Sequence, residues 1–126
     1  MSYALRELHQ VDAPLDSEVI MSAKIILPRI LQIGAGASKE VGTILKSMGL
    51  QRPLIVTDKI MVQLGYIDRI IKCIDDEAVN IDVFDDTVPE PTVSSIQAGV
   101  DKVRGGNYDC IIALGGGSPI DSAKAI

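Results

Sequence analysis

The chain has 126 residues, 12 basic and 17 acidic, for a net charge of −5; 47% are hydrophobic and 3% aromatic. That composition supplies one folded domain with an aliphatic core of Ile, Val, Leu and Ala, suited to a buried parallel sheet, and argues against a disordered chain. It holds no basic cluster for a nucleic-acid backbone and no apolar run of the roughly 18 residues that a membrane span needs.

In chain order, the N-terminus lacks the continuous apolar stretch of a secretory signal, and residues 1–23 read as an extension. Cys73 and Cys110 form no CxxC and are expected to be free thiols, so the cytoplasm is the expected compartment. Residues 24–33, KIILPRILQI, suggest a strand or hairpin at a sheet edge, where Pro28 is tolerated. Gly34-Ala35-Gly36-Ala37 turns the chain. Ser38 is placed to cap a helix through residue 48, with Val41, Ile44, Leu45 and Met48 on one face and Gly49 as its stop.

Residues 53–57, PLIVT, form a short apolar run ending at Asp58, the pattern of a buried strand. Helical spacing resumes over Ile60 to Leu64 and from Ile67 to about Ala78. Residues 80–84, NIDVF, alternate as a strand, and TVPEPT at 87–92 is a rigid turn. Ile96, Val100 and Val103 mark a helix ending at Gly105-Gly106. Residues 109–114, DCIIAL, form the next strand, and a helix begins at Ser118. Strands alternating with helices indicate βαβ units and a Rossmann-like parallel sheet with flanking helices. The last helix has only about two turns before Ile126, so the domain is expected to be truncated.

The strongest chemical signal is Gly115-Gly116-Gly117-Ser118-Pro119-Ile120-Asp121 directly after an apolar strand. Glycines let a backbone approach a ligand, and a helix N-terminus presents unpaired N–H groups and a positive dipole end. At the carboxyl end of a parallel strand this is a cradle for pyrophosphate. The structural alternative is a tight turn followed by a Ser118-x-x-Asp121 capping box with Pro119 at the first helical position. Asp58 ends a strand at the same sheet edge. It is placed either to accept hydrogen bonds from adenosine ribose hydroxyls or to cap the next helix. Gly34-x-Gly36 is not a dinucleotide fingerprint, because Lys39 stands where the third glycine is required. No Walker A sequence is present. His9 is the single histidine, and with no CxxC it gives no transition-metal ligand set.

Gly115-Gly116-Gly117-Ser118-x-x-Asp121-x-Ala123-Lys124 resembles the GGGSxxDxAK signature of iron-containing (group III) alcohol dehydrogenases. Gly34-x-Gly36-Ala37, Val56-Thr57-Asp58 and Pro89-x-Pro91-Thr92 resemble that family's other N-terminal landmarks, in the same order. Ser118 and Ala123-Lys124 favour this branch over glycerol dehydrogenases and dehydroquinate synthases. The resemblance implies that residues 24–126 are an NAD(P)-binding α/β domain of the dehydroquinate synthase-like fold. It also implies a helical C-terminal domain, lying beyond Ile126, that holds Fe²⁺ or Zn²⁺ through one Asp and three His. In that family the metal polarises the alcohol oxygen while hydride passes to the nicotinamide. Carried over by position, Gly117 and Ser118 would contact the pyrophosphate and Asp58 the adenosine ribose, Gly116 and Glu90 would also contact the cofactor, and Asp121 would lie near the nicotinamide end. NAD is the expected cofactor and a small alcohol or aldehyde the substrate, with no catalytic or metal-binding residue in this stretch. The surface that would face the second domain leaves an apolar patch, open to homo-oligomeric association. The competing expectation is a standalone nucleotide-binding or receiver-like regulatory α/β module, the latter using Asp58, Asp85 and Asp86 as an acidic cluster.

Overall fold

The computed structural model describes residues 32–74 and 78–126. Pro53–Val56 forms β1, with every residue buried. Its Pro stands at the first position, where a missing N–H is tolerated. Asp82–Phe84 forms β2 and Cys110–Ala113 forms β3. Both run parallel to β1, in the order β2-β1-β3. The chain therefore steps from β1 to one neighbour and then crosses to the other side. In sheets of this kind such a reversal is where ligands bind, at the carboxyl ends of the strands.

The helices divide between the two faces. On one, Ile55 of β1 packs with Leu45 of α1 (Val41–Met48) and with Ile67, Ile70 and Ile74 of α3 (Tyr66–Ile74). Between β1 and α3 runs the short α2 (Lys59–Gln63). On the other face, Leu54, Val56 and Phe84 pack with Val103 of α4 (Val93–Gly105) and with Ala123 and Ile126. Ala123 belongs to α5 (Gly117–Ala125). Leu54 and Val56 thus face away from Ile55, as the period of two requires.

The expected strands appear at PLIVT, NIDVF and DCIIAL, each shortened at its ends. The strand expected over 24–33 lies outside the described residues except for Gln32 and Ile33, which are not in a strand. Residues 75–77 at the end of the helix expected to reach Ala78 also lie outside them. Gly49 stops α1 as expected: its φ is 68°, and the Leu50 N–H reaches back to the Leu45 carbonyl at 3.0 Å, a Schellman closure. The Ser38 cap does not form. Ser38 sits inside a 3-10 turn, Ala37–Glu40, entered through Gly36 at φ 83°. The Met48 side of the expected apolar face is 59% exposed.

The Ser118/Asp121 capping box is also absent. The helix begins one residue earlier, with Gly116 as its uncapped N-cap, and Pro119 is its third residue. Asp121 instead faces Lys124, 3.5 Å away on the surface. Backbone geometry decides this start. Gly115 has φ 140°, and a Cβ there would lie 2.7 Å from the Pro119 ring. Pro119 itself is buried, and a first-turn position has no intrahelical N–H bond to lose.

Candidate functional site

The carboxyl ends of the three strands are tied together beyond their ladders by two threonines. Thr57 is fully buried and its Oγ1 donates to the Leu114 carbonyl at 2.8 Å, joining the end of β1 to the end of β3. Thr87 is 7% exposed and its Oγ1 donates to the Thr57 carbonyl at 2.7 Å, joining the end of β2 to that of β1. A bridge between Asp58 and Asp86 follows immediately.

Just outside these ties lies a cleft of about 300 Å³, lined by residues 58–60, 86–89 and Ser118. That is the lower end of the range for small-molecule sites. Asp58 caps α2, its Oδ1 accepting the Met61 N–H at 2.9 Å. Among the described residues Oδ2 has no hydrogen-bond partner. The neighbouring Lys59 ammonium pairs with Asp86 at 3.1 Å. This hydrogen bond and the charges of Asp86 and Asp85 raise the Lys59 pKa. Ile60 and Val88 supply exposed apolar surface at the rim.

The far wall belongs to the N-terminus of α5. The Ser118 hydroxyl donates to the Pro89 carbonyl at 2.7 Å, fastening the turn after β2 to this helix. With no side-chain cap and Pro119 at the third position, the N–H groups of Gly117 and Ser118 have no intramolecular partner among the described residues. A Cβ on Gly116 or Gly117 would meet nothing within 4 Å, and neither residue has a positive φ in the glycine-favouring range. Gly115 is demanded by the fold; Gly116 and Gly117 are not.

Of the six residues expected to touch a cofactor, Asp58 and Ser118 line the cleft. Gly116 and Gly117 flank Ser118 at the exposed helix start. Glu90 is exposed beside the lining residue Pro89, and Asp121 is exposed one turn along α5. The Thr57, Thr87 and Pro89 contacts escaped the sequence reading, since each depends on tertiary placement. A receiver-like site would gather Asp58, Asp85 and Asp86 around a cation. Among the described residues no three His, Cys, Asp or Glu side chains come together so as to hold a metal. No helix among the described residues is long and apolar enough to cross a membrane.

Comparison with known proteins places this arrangement. The family model for iron-containing alcohol dehydrogenase matches residues 28–126. An NAD-dependent methanol dehydrogenase of Bacillus methanolicus is 38% identical over 100 residues, covering 79% of this chain and 26% of its own. The structure of sulfoacetaldehyde reductase from Bifidobacterium kashiwanohense in complex with NAD⁺ aligns with a TM-score of 0.66 and 35% identity, over 72% of this chain and 24% of that one. An alcohol dehydrogenase from Oenococcus oeni aligns with a TM-score of 0.74 and 26% identity, over 82% and 27% of the two chains. The chain thus spans about a quarter of the length of these relatives. On the family match and on the parallel sheet with its glycine-opened helix, the chain belongs to the iron-containing alcohol dehydrogenase family.

Proposed function

We propose that residues 24–126 are the NAD-binding part of an oxidoreductase that interconverts a small alcohol and its aldehyde or ketone, with residues 1–23 as an extension. The observation that carries this is convergence on one cleft. A carboxylate with a free oxygen and a helix N-terminus with free N–H groups meet across the switch between β1 and β3. The NAD⁺-bound relative and the NAD-dependent methanol dehydrogenase support the cofactor.

Each residue has a task set by its existing bonds. Asp58 Oδ1 is committed to the Met61 N–H, so Oδ2 accepts from the adenosine ribose. The Ser118 hydroxyl proton is committed to Pro89, so Ser118 serves the pyrophosphate through its backbone N–H, beside that of Gly117. Gly116 and Gly117 leave the approach open to phosphate oxygens. Glu90 borders the cofactor on the turn after β2, and Asp121 is assigned to the nicotinamide end. NAD, when bound, supplies the hydride acceptor. Fe²⁺ or Zn²⁺ belongs in this reading to residues other than those described.

Most of the contacts available here are to adenosine and pyrophosphate. ADP-ribose is therefore expected to compete with NAD in ligand-observed NMR, and nicotinamide mononucleotide, with one phosphate and no adenosine, to compete more weakly. Competition by the mononucleotide alone would reverse the assignment of the cleft's two ends.

A further inference from the structure

Beyond the last ladder bonds the strand ends are joined by few backbone contacts, chiefly the isolated Asp58–Asp86 bridge, and the loops carrying the two halves of the site leave from those ends. Asp58 follows Thr57, the Pro89 turn follows Thr87, and the glycine turn follows Leu114. Two buried hydroxyls span these gaps in series, Thr87 to the Thr57 carbonyl at 2.7 Å and Thr57 to the Leu114 carbonyl at 2.8 Å. The Thr57 carbonyl also receives the Thr87 N–H at 3.4 Å. A third tie, from Ser118 to Pro89 at 2.7 Å, closes the loop after β2 onto the helix. Thr57 is 0% and Thr87 7% exposed, and each hydroxyl already donates its proton to a backbone carbonyl. A shape-matched Val would fill either space, so a hydroxyl there has a hydrogen-bonding task beyond packing.

We propose that Thr57 and Thr87 are positioning residues for the dinucleotide. Their hydroxyl relay fixes the separation between the ribose-binding carboxylate of Asp58 and the phosphate-binding start of α5. This rests on the nucleotide assignment above. A ligand touching only one end gains nothing from that fixed separation. A ligand bridging both ends depends on it, because preorganised geometry spares it the ordering cost of binding.

The test compares bridging with single-ended probes on the whole chain. NAD, adenosine and inorganic pyrophosphate are titrated by NMR against the unsubstituted chain, Thr57→Val, Thr87→Val and Thr57→Ser. Loss of one buried hydrogen bond is worth about three- to tenfold in affinity. The valine variants are expected to lose that factor for NAD alone, keep adenosine and pyrophosphate within about twofold, and recover in Thr57→Ser. Valine variants that bind NAD like the unsubstituted chain overturn the proposal. So does a parallel fall for all three probes, the mark of a purely structural role. If the unsubstituted chain binds none of the three, the nucleotide assignment fails, and this proposal with it.

Discussion

At Asp58, one carboxylate oxygen caps α2 and the other is free at the cleft, so the helix-cap and ribose-acceptor expectations do not exclude each other. Under the proposed function a 2′-phosphate would meet this carboxylate. At roughly 4 Å and an effective dielectric near 20, a pair of like unit charges costs on the order of 4 kcal/mol before screening. A third of that is about one decade in affinity. Asp58→Gly is therefore expected to narrow the NAD-over-NADP preference by about tenfold when both cofactors are titrated against both variants. Unchanged discrimination would leave Asp58 as a cap only. At the opposite end of the sheet, Asp82 accepts from Lys102 at 2.7 Å and from the Tyr108 hydroxyl at 2.5 Å. Lys102 first, and then Tyr108, hold its carboxyl down at about 2, against an ordinary 3.8. A lowered folded pKa means stabilisation that is complete above the ordinary value and lost as pH falls through the folded one. Asp82 is 46% exposed, so solvent screening keeps the effect to about 1 kcal/mol or less. Denaturant midpoints are expected to drop between about pH 4 and pH 2, and Asp82→Asn to flatten that drop.

Among the elements, α1 and α3 cross backbone against backbone at Gly42. A Cβ on Gly42 would lie 2.5 Å from the Cys73 carbonyl oxygen and 3.0 Å from the Ile74 Cα, both backbone atoms. On the other face a Cβ on Gly99 would strike the Ile126 side chain, at 2.3 Å from Cδ1. A side-chain tip can rotate away and a helix backbone cannot. Gly42→Ala is expected to destabilise by about 1–3 kcal/mol and Gly99→Ala by clearly less, measured by urea unfolding. Equal losses would mean that α1 and α3 do not approach this closely in solution. At this scale the strands were legible, because PLIVT, NIDVF and DCIIAL are short apolar or alternating runs between turn residues. Caps were less so. Ser118-x-x-Asp121 imitates a capping box, yet the geometry of Gly115 and the seat of Pro119 start α5 earlier. The capping box that does form, Thr92 with Ser95 at the start of α4, has Ser where the sequence pattern looks for Glu or Gln. In the site, Asp58 and Ser118 were legible as residues at strand ends. The hydroxyl ties were not, since they join residues 29 to 57 apart in the chain.

Across the molecule, the chemistry is one-sided. The described residues provide a cleft of small-molecule size but no cluster able to hold a metal. The 126 residues alone, supplied with NAD, Fe²⁺ or Zn²⁺ and a small alcohol, are expected to give no NADH absorbance above the protein-free rate. Metal-dependent NADH formation would show that a ligand set exists within them. Whether the open start of α5 receives the phosphates of NAD is decided by calorimetric titration of NAD into the chain and into Gly117→Val. Because a Cβ at residue 117 meets nothing within 4 Å, the substitution should leave the thermal unfolding midpoint in place and obstruct only the ligand. The expected result is weak binding by the unsubstituted chain, on the order of millimolar, and none by Gly117→Val at the same foldedness. Equal NAD affinity in the two, or no binding by a demonstrably folded unsubstituted chain, would contradict it.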